Sequence, residues 1–115
     1  MAYNEQLATR VRYFLAEYEP VEELRMMGGL CFMYKNKMLV GVVNDELMCR
    51  VDPELVPELI EQPGCTQMAM GGRSTKGYVL VHETALQRPQ DFRSWLELTL
   101  AFNDRAKASR KAAKP

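Results

Sequence analysis

His82 is the one histidine in this 115-residue chain, so a nucleophile–histidine pair or a histidine-held metal has to be built on it. Its natural partner is Cys65. If the strands carrying the two residues align, the imidazole could take the thiol proton and leave a nucleophilic thiolate. Nothing in their spacing demands this, and the simpler reading of His82 is a strand-end residue facing solvent or the adjoining loop. Arg73 and Lys76, in the run "GGRSTKG", could hold an anion or small ligand between them, although a solvated turn explains the same residues. Cys31, Cys49 and Cys65 are odd in number and widely spaced, which suits reduced thiols rather than a disulfide framework or a CxxC zinc site. Cys49 alternates with Leu47 and Val51, the pattern of a small core residue.

Phosphate binding is the other chemistry that glycines could supply. A Walker loop needs G-x-x-x-x-G-K-[ST] between a strand and a helix, where successive amides and the helix N-terminus cradle the anion. Gly28-Gly29 leads into the strand-like "LCFMY", and Gly72 to Gly77 continues into Tyr78-Val79, so neither is such a loop. Gly28, Gly29 and Gly77 therefore read as structural positions. For the first two the sequence allows a two-residue hairpin turn or a bulge bending one long strand from about Leu24 to Tyr34, and the bend is the reading adopted. The carboxylates form no compact catalytic set: Glu54, Glu58 and Glu61 make the wet face of a short helix. No cofactor or metal is implied.

The 15 basic and 15 acidic residues are unevenly placed. Arg105, Lys107, Arg110, Lys111 and Lys114 crowd into the acid-free "RAKASRKAAKP", leaving residues 1–104 with a net charge of −5. That tail could contact nucleic-acid phosphates weakly. It has no aromatic residue for base stacking, and a disordered solubilising segment is the simpler reading. The opening "MAYNEQLATR" lacks the pattern of a signal peptide and no apolar run approaches the ~20 residues of a membrane span, which points to a cytoplasmic protein with no membrane partner.

The elements that must position these residues fit one domain, with a body over 1–104 and a tail over 105–115. Leu7, Val11, Phe14, Leu15 and Tyr18 share one face of a first helix that Pro20 closes. Apolar runs from Glu22 to Val51, broken by "KNK" and "ND", predict an antiparallel meander of three strands. Asp52 and Pro53 open a short second helix through about Ile60. Thr66–Met70 and Tyr78–His82 predict two strands joined by the glycine-rich run, and Pro89 begins a last helix with Phe92, Trp95, Leu96, Thr99 and Phe102 on one face. The eight methionines read mainly as core fillers. The expected fold is α+β with two layers, an antiparallel sheet with helices on one face, in the order α-β3-α-β2-α.

"MAYNEQLATRVRYFL", "RMMGGLCFM", "DELMCRVDPE", "KGYVLV" and "FRSWLELTLAF", taken in this order, resemble the N-terminal domain of the TfoX/Sxy family. The family often has Met-Phe-Gly-Gly where this chain has Met26-Met27-Gly28-Gly29, and an Asn-Gly turn where it has Lys35-Asn36. The resemblance implies the same α-β3-α-β2-α order. It also implies a non-enzymatic module that acts by protein contact in transcriptional, competence-type regulation, linked to DNA indirectly through an activator protein.

A surface for such contact is expected on the sheet face away from the helices. With Asn44-Asp45 as a two-residue turn, Met38, Val40, Val42, Leu47, Cys49 and Val51 share the core face. With Lys35-Asn36 as the other turn, Phe32, Tyr34, Leu39, Val43 and Met48 fall on the opposite face, as candidates for a homodimer or a protein partner. A three-residue turn would move Phe32 and Tyr34 into the core and expose Cys31 and Met33 instead.

Overall fold

The computed structural model describes residues 3–106 other than positions 19, 27, 71 and 72, with backbone alone at 69–70 and 73–76. The elements are α1 (Glu5–Leu15), β1 (Val21–Met26), β2 (Gly29–Tyr34), β3 (Lys37–Val43), β4 (Glu46–Arg50), a 3-10 turn (Pro53–Leu55) running into α2 (Val56–Leu59), β5 (Cys65–Met70), β6 (Arg73–His82), a second 3-10 turn (Glu83–Leu86) and α3 (Pro89–Asn103). All six strands form one antiparallel sheet in the order β1-β2-β3-β4-β6-β5. The fold is α+β in two layers. Leu7, Val11 and Leu15 of α1, Val56 and Leu59 of α2, and Phe92, Trp95 and Leu96 of α3 all pack into a single core with Phe32, Val40, Val42, Leu47 and Cys49.

The meander has four strands where three were expected, because the chain turns at Gly28 instead of bending, and Gly29 already opens β2. Met26 pairs with Gly29, so the chain reverses between β1 and β2, and Gly28 takes φ +74°. That left-handed conformation favours glycine. Lys35 (φ 57°) and Asn36 (φ 65°) make the next turn with both central residues left-handed, as two-residue hairpins require. Within the run "GGRSTKG", β6 already begins at Arg73, where the sequence predicts a strand only from Tyr78. Gly77 breaks the ladder with φ +79°, and its carbonyl accepts the Val51 N–H at 2.7 Å.

The face assignment also needs correction. Lys35-Asn36 is a two-residue turn, yet Phe32 and Tyr34 point to the helix side, as a three-residue turn would have placed them. A bulge is responsible: Phe32 pairs with Val40 and Met33 with Met38, which leaves Leu39 as an extra residue on β3. It shifts the alternation by one. Phe32 (1% exposed) and Leu39 (1%) lie in the helix-side core, with Tyr34 packed against it. Met38, expected in that core, joins Cys31, Met33, Met48 and Met68 on the far face instead. Val43 and Met48 are on the far face as expected, but Met48 is fully buried there, within a ring of Leu24, Met26, Val43, Tyr78 and Leu80.

The helix ends show smaller differences. Asn4 caps α1 by accepting the Leu7 N–H at 3.0 Å, and α1 stops at Leu15, well before Pro20, in a turn where Tyr18 N–H donates to the Leu15 carbonyl at 2.9 Å. At the other terminus the body extends beyond Asp104. Arg105 meets the Asp52 carboxylate at 3.1 Å, and Ala106 is buried.

Candidate interaction groove

Strand alternation separates the residues that could have formed a thiol–imidazole pair. Cys65 pairs with Val81 across β5 and β6, and both side chains lie in the helix-side core. His82 is the next residue and is exposed. Its Nδ1 accepts the Thr84 N–H at 3.2 Å and lies 3.0 Å from the Thr84 hydroxyl, so the ring caps the 3-10 turn that begins at Glu83. Burial pushes the Cys65 thiol up to about 11 and raises Cys31 as well. Cys49, buried among core side chains and close to Cys65, is raised further still. Raised thiols at closed positions make slow nucleophiles. In the native protein all three should resist an aromatic disulfide reagent for many half-lives of a free thiol, and all three should react at once in denaturant; one fast-reacting native thiol would contradict the packing described.

Of the candidate cations, the structure describes the side chain of Arg105 alone. Arg73 and Lys76 lie on β6, with side chains outside the described residues. Arg105 is committed to Asp52 and lies 5.2 Å from the Phe102 ring centre, while Lys107, Arg110, Lys111 and Lys114 lie outside the described residues. Gly28 and Gly77 occupy left-handed positions. Gly29 is required for space: a Cβ there would collide with the Val42 carbonyl oxygen and lie 2.9 Å from Val43 Cγ2.

What the fold does build is an open groove of about 780 Å³ between α1 and the first half of α3. Arg10, Tyr13, Phe14 and Glu17 recur at i, i+3, i+4 and i+7 along one flank of α1 and the turn that follows, while Pro89, Arg93 and Glu97 form the facing rim. The floor is aromatic. Phe14 meets Phe92 edge-on at 6.5 Å and stacks on Tyr18 at 6.0 Å, and Tyr18 in turn meets Tyr34 edge-on at 6.4 Å. Arg10 seals one end. Its guanidinium sits 4.1 Å over the Phe92 ring and donates to the Leu86 carbonyl at 2.9 Å. Tyr13 stands beside the groove at 86% exposure, far more than any other large apolar side chain among the described residues.

The two helices run past each other in the same sense. Arg10 and Phe14 meet Phe92 near the start of α3, whereas Tyr18 meets Tyr34, whose carbonyl accepts the Asn103 amide at the end of α3. Arg10 and Arg93 therefore mark one end of the groove and Glu17 and Glu97 the other. Arg93, Glu17 and Glu97 form no ion pair among the described residues. The groove presents an apolar wall between ends of opposite charge. Sequence periodicity assigned Phe14, Tyr18 and Phe92 to core faces and passed over the groove. The available signal was Tyr13, an aromatic residue nearly opposite the apolar face of α1.

The TfoX N-terminal domain family matches residues 13–103, which include the groove's α3 rim and all six strands. This chain belongs to that family. No curated protein matches it. Among solved structures, this TfoX N-terminal domain is similar to the crystal structure of a protein from Pseudomonas syringae, with a TM-score of 0.57 and 13% identity over 79% of this chain and 93% of the other. At that identity the likeness concerns the fold. Among the described residues, no helix is long and apolar enough to cross a membrane.

Proposed function

We propose that this TfoX N-terminal domain is a non-enzymatic, cytoplasmic interaction module that takes a segment of another protein chain into the groove between α1 and α3, in the service of transcriptional regulation. The observation that carries the reading is the pairing of an 86%-exposed Tyr13 with an aromatic floor. Exposed tyrosine beside a preformed apolar wall is the usual make-up of a binding centre, because a rigid ring buries much area at small entropic cost. Family membership supports the regulatory part, and the separation of Cys65 from His82 weighs against thiol catalysis. Any link to DNA would then run through the bound protein.

Tyr13→Ala tests this reading. Because Tyr13 is exposed, the substitution should shift folding stability by less than about 0.5 kcal/mol, while the loss of a central aromatic contact should weaken partner binding by roughly 2 kcal/mol, about thirty-fold. Cross-linking and quantitative capture by wild type and variant, at matched melting temperatures, provide the measurement. Equal capture by both would overturn the assignment of the groove.

A further inference from the structure

We infer that the outer edge of β1 pairs with the same edge of a second copy of this chain, antiparallel and centred on Leu24, so that two six-stranded sheets join into one. β1 contributes no residue to the groove, and this pairing does not depend on what the groove binds. The strand closes one side of the sheet, with β2 on its inner side. Because Met26 and Gly29 close a two-residue hairpin, they form a hydrogen-bonded pair, and by alternation Leu24 and Glu22 bond to β2 in the same way. The N–H and C=O groups of Val21, Glu23 and Arg25 consequently point away from the sheet, where no described backbone group bonds them. An edge in this state is a template for another strand. The opposite edge is blunted: β5 shifts register against β6 between Gln67 and Ala69, whereas β1 keeps one register with β2 from Val21 to Met26.

The charges along the strand select a second copy and its register. Only Val21, Glu23 and Arg25 offer outward groups, so in a two-fold antiparallel pair these residues face one another and one residue of the strand meets its own copy at the axis. Centring on Glu22, Glu23 or Arg25 sets like charges directly opposite each other, which destabilises a strand pair. Centring on Val21 or Met26 leaves most of the strand unpaired. Leu24 remains. With Leu24 on the axis, Glu23 stands opposite the second copy's Arg25 and Arg25 opposite the second copy's Glu23, and each pair exchanges both of its backbone bonds. On the far face the half-buried Leu24 meets its own copy, so the apolar cluster of Cys31, Met33 and Met48 that it borders continues across the axis. On the helix side the edge adjoins a hollow of about 360 Å³ between Arg12, Pro20, Val21 and Glu23, floored by Phe32. α1 leaves β1 uncovered there, which gives the second copy's Arg25 room. Glu23 already accepts from Arg12 at 2.8 and 3.1 Å, and a carboxylate has lone pairs for a further donor. Arg25 is exposed and forms no ion pair among the described residues.

A single strand pair is a small contact, so the dimer is weak and concentration-dependent. Sedimentation velocity over a dilution series reaching about 1 mM should show a monomer–dimer equilibrium for the wild type. Arg25→Glu sets glutamate against Glu23 at both symmetric positions, Glu23→Arg sets arginine against Arg25, and each should weaken dimerisation at least ten-fold. An equimolar mixture of these two variants restores opposite charges at both positions and should dimerise at least as well as the wild type. Both residues are exposed, and melting curves check that each variant is folded. Arg25→Pro removes an outward N–H and no bond to β2, so it should abolish the dimer and leave a folded monomer. A strictly monomeric wild type, a dimer that survives these substitutions, or a mixture that fails to recover would overturn the proposal. So would a dimer lost with Tyr13→Ala and kept with Arg25→Glu, which would place the contact at the groove; loss of a different captured protein with Tyr13→Ala alone leaves the binding role of the groove standing whatever becomes of the β1 edge.

Discussion

Gly29→Ala is expected to cost about 3 kcal/mol of folding stability or more, a loss large enough to threaten the soluble protein, since domains of this size are held by only about 5–15 kcal/mol. Dihedral strain plays no part, because Gly29 does not have a positive φ. The cause is close approach. The β2 backbone at Gly29 lies against the neighbouring strand, and any Cβ would run into the Val42 carbonyl oxygen and to within 2.9 Å of Val43 Cγ2. A carbonyl in a sheet ladder cannot move aside as a flexible side-chain end can, so the strands would have to separate or slip. Gly28 provides the control. Its φ of +74° asks for glycine, but a Cβ there meets nothing within 4 Å, and asparagine tolerates the left-handed region. Gly28→Asn should therefore cost no more than about 1 kcal/mol. Urea midpoints of the two variants measured side by side decide the matter: equal losses would show that the turn, and not strand contact, governs this pair.

The glycine pair also shows where sequence reading stops. The layers and the helix faces were legible, because Leu7, Val11 and Leu15, or Phe92, Trp95 and Leu96, repeat at a helical period that only one packing arrangement satisfies. The hairpin at Asn44-Asp45 was legible for the same reason: Val40, Val42, Leu47 and Cys49 fall on one face in the pairing the structure adopts. Whether Gly28-Gly29 turns or bends depends on how β1 finds its partner, and the strand's own residues do not encode that. The groove escaped for a different reason. It is made by two helix flanks that are distant in sequence, and each flank taken alone reads as an ordinary boundary between core and solvent. Cys65 and His82 show that suitable residue types on neighbouring strands need not meet: the two-residue alternation sets them on different sides and leaves His82 exposed at a strand end, the simpler of the two readings.

The bulge at Leu39 carries the second large effect. Phe32→Glu should prevent folding altogether, and Leu39→Ala should cost about 2–5 kcal/mol, although a regular pairing from the Lys35-Asn36 turn would put both residues on the outer face. In the structure the extra residue on β3 turns Phe32 inward against Val40, where it is fully enclosed and a carboxylate would lie in the apolar core with no charge to meet it. The expected loss exceeds about 4 kcal/mol, the range reached by few single substitutions outside a core. Val43 lies on the far face and is only half-buried, so Val43→Glu should cost about 1 kcal/mol and leave the protein soluble. The contrast tests the bulge itself, since Phe32 would join Val43 on the far face if β2 and β3 paired without it. Soluble yield and urea unfolding of the three variants give the answer. A Phe32→Glu protein that folds as well as Val43→Glu would mean that the strands pair in the regular register and that Leu39 faces out.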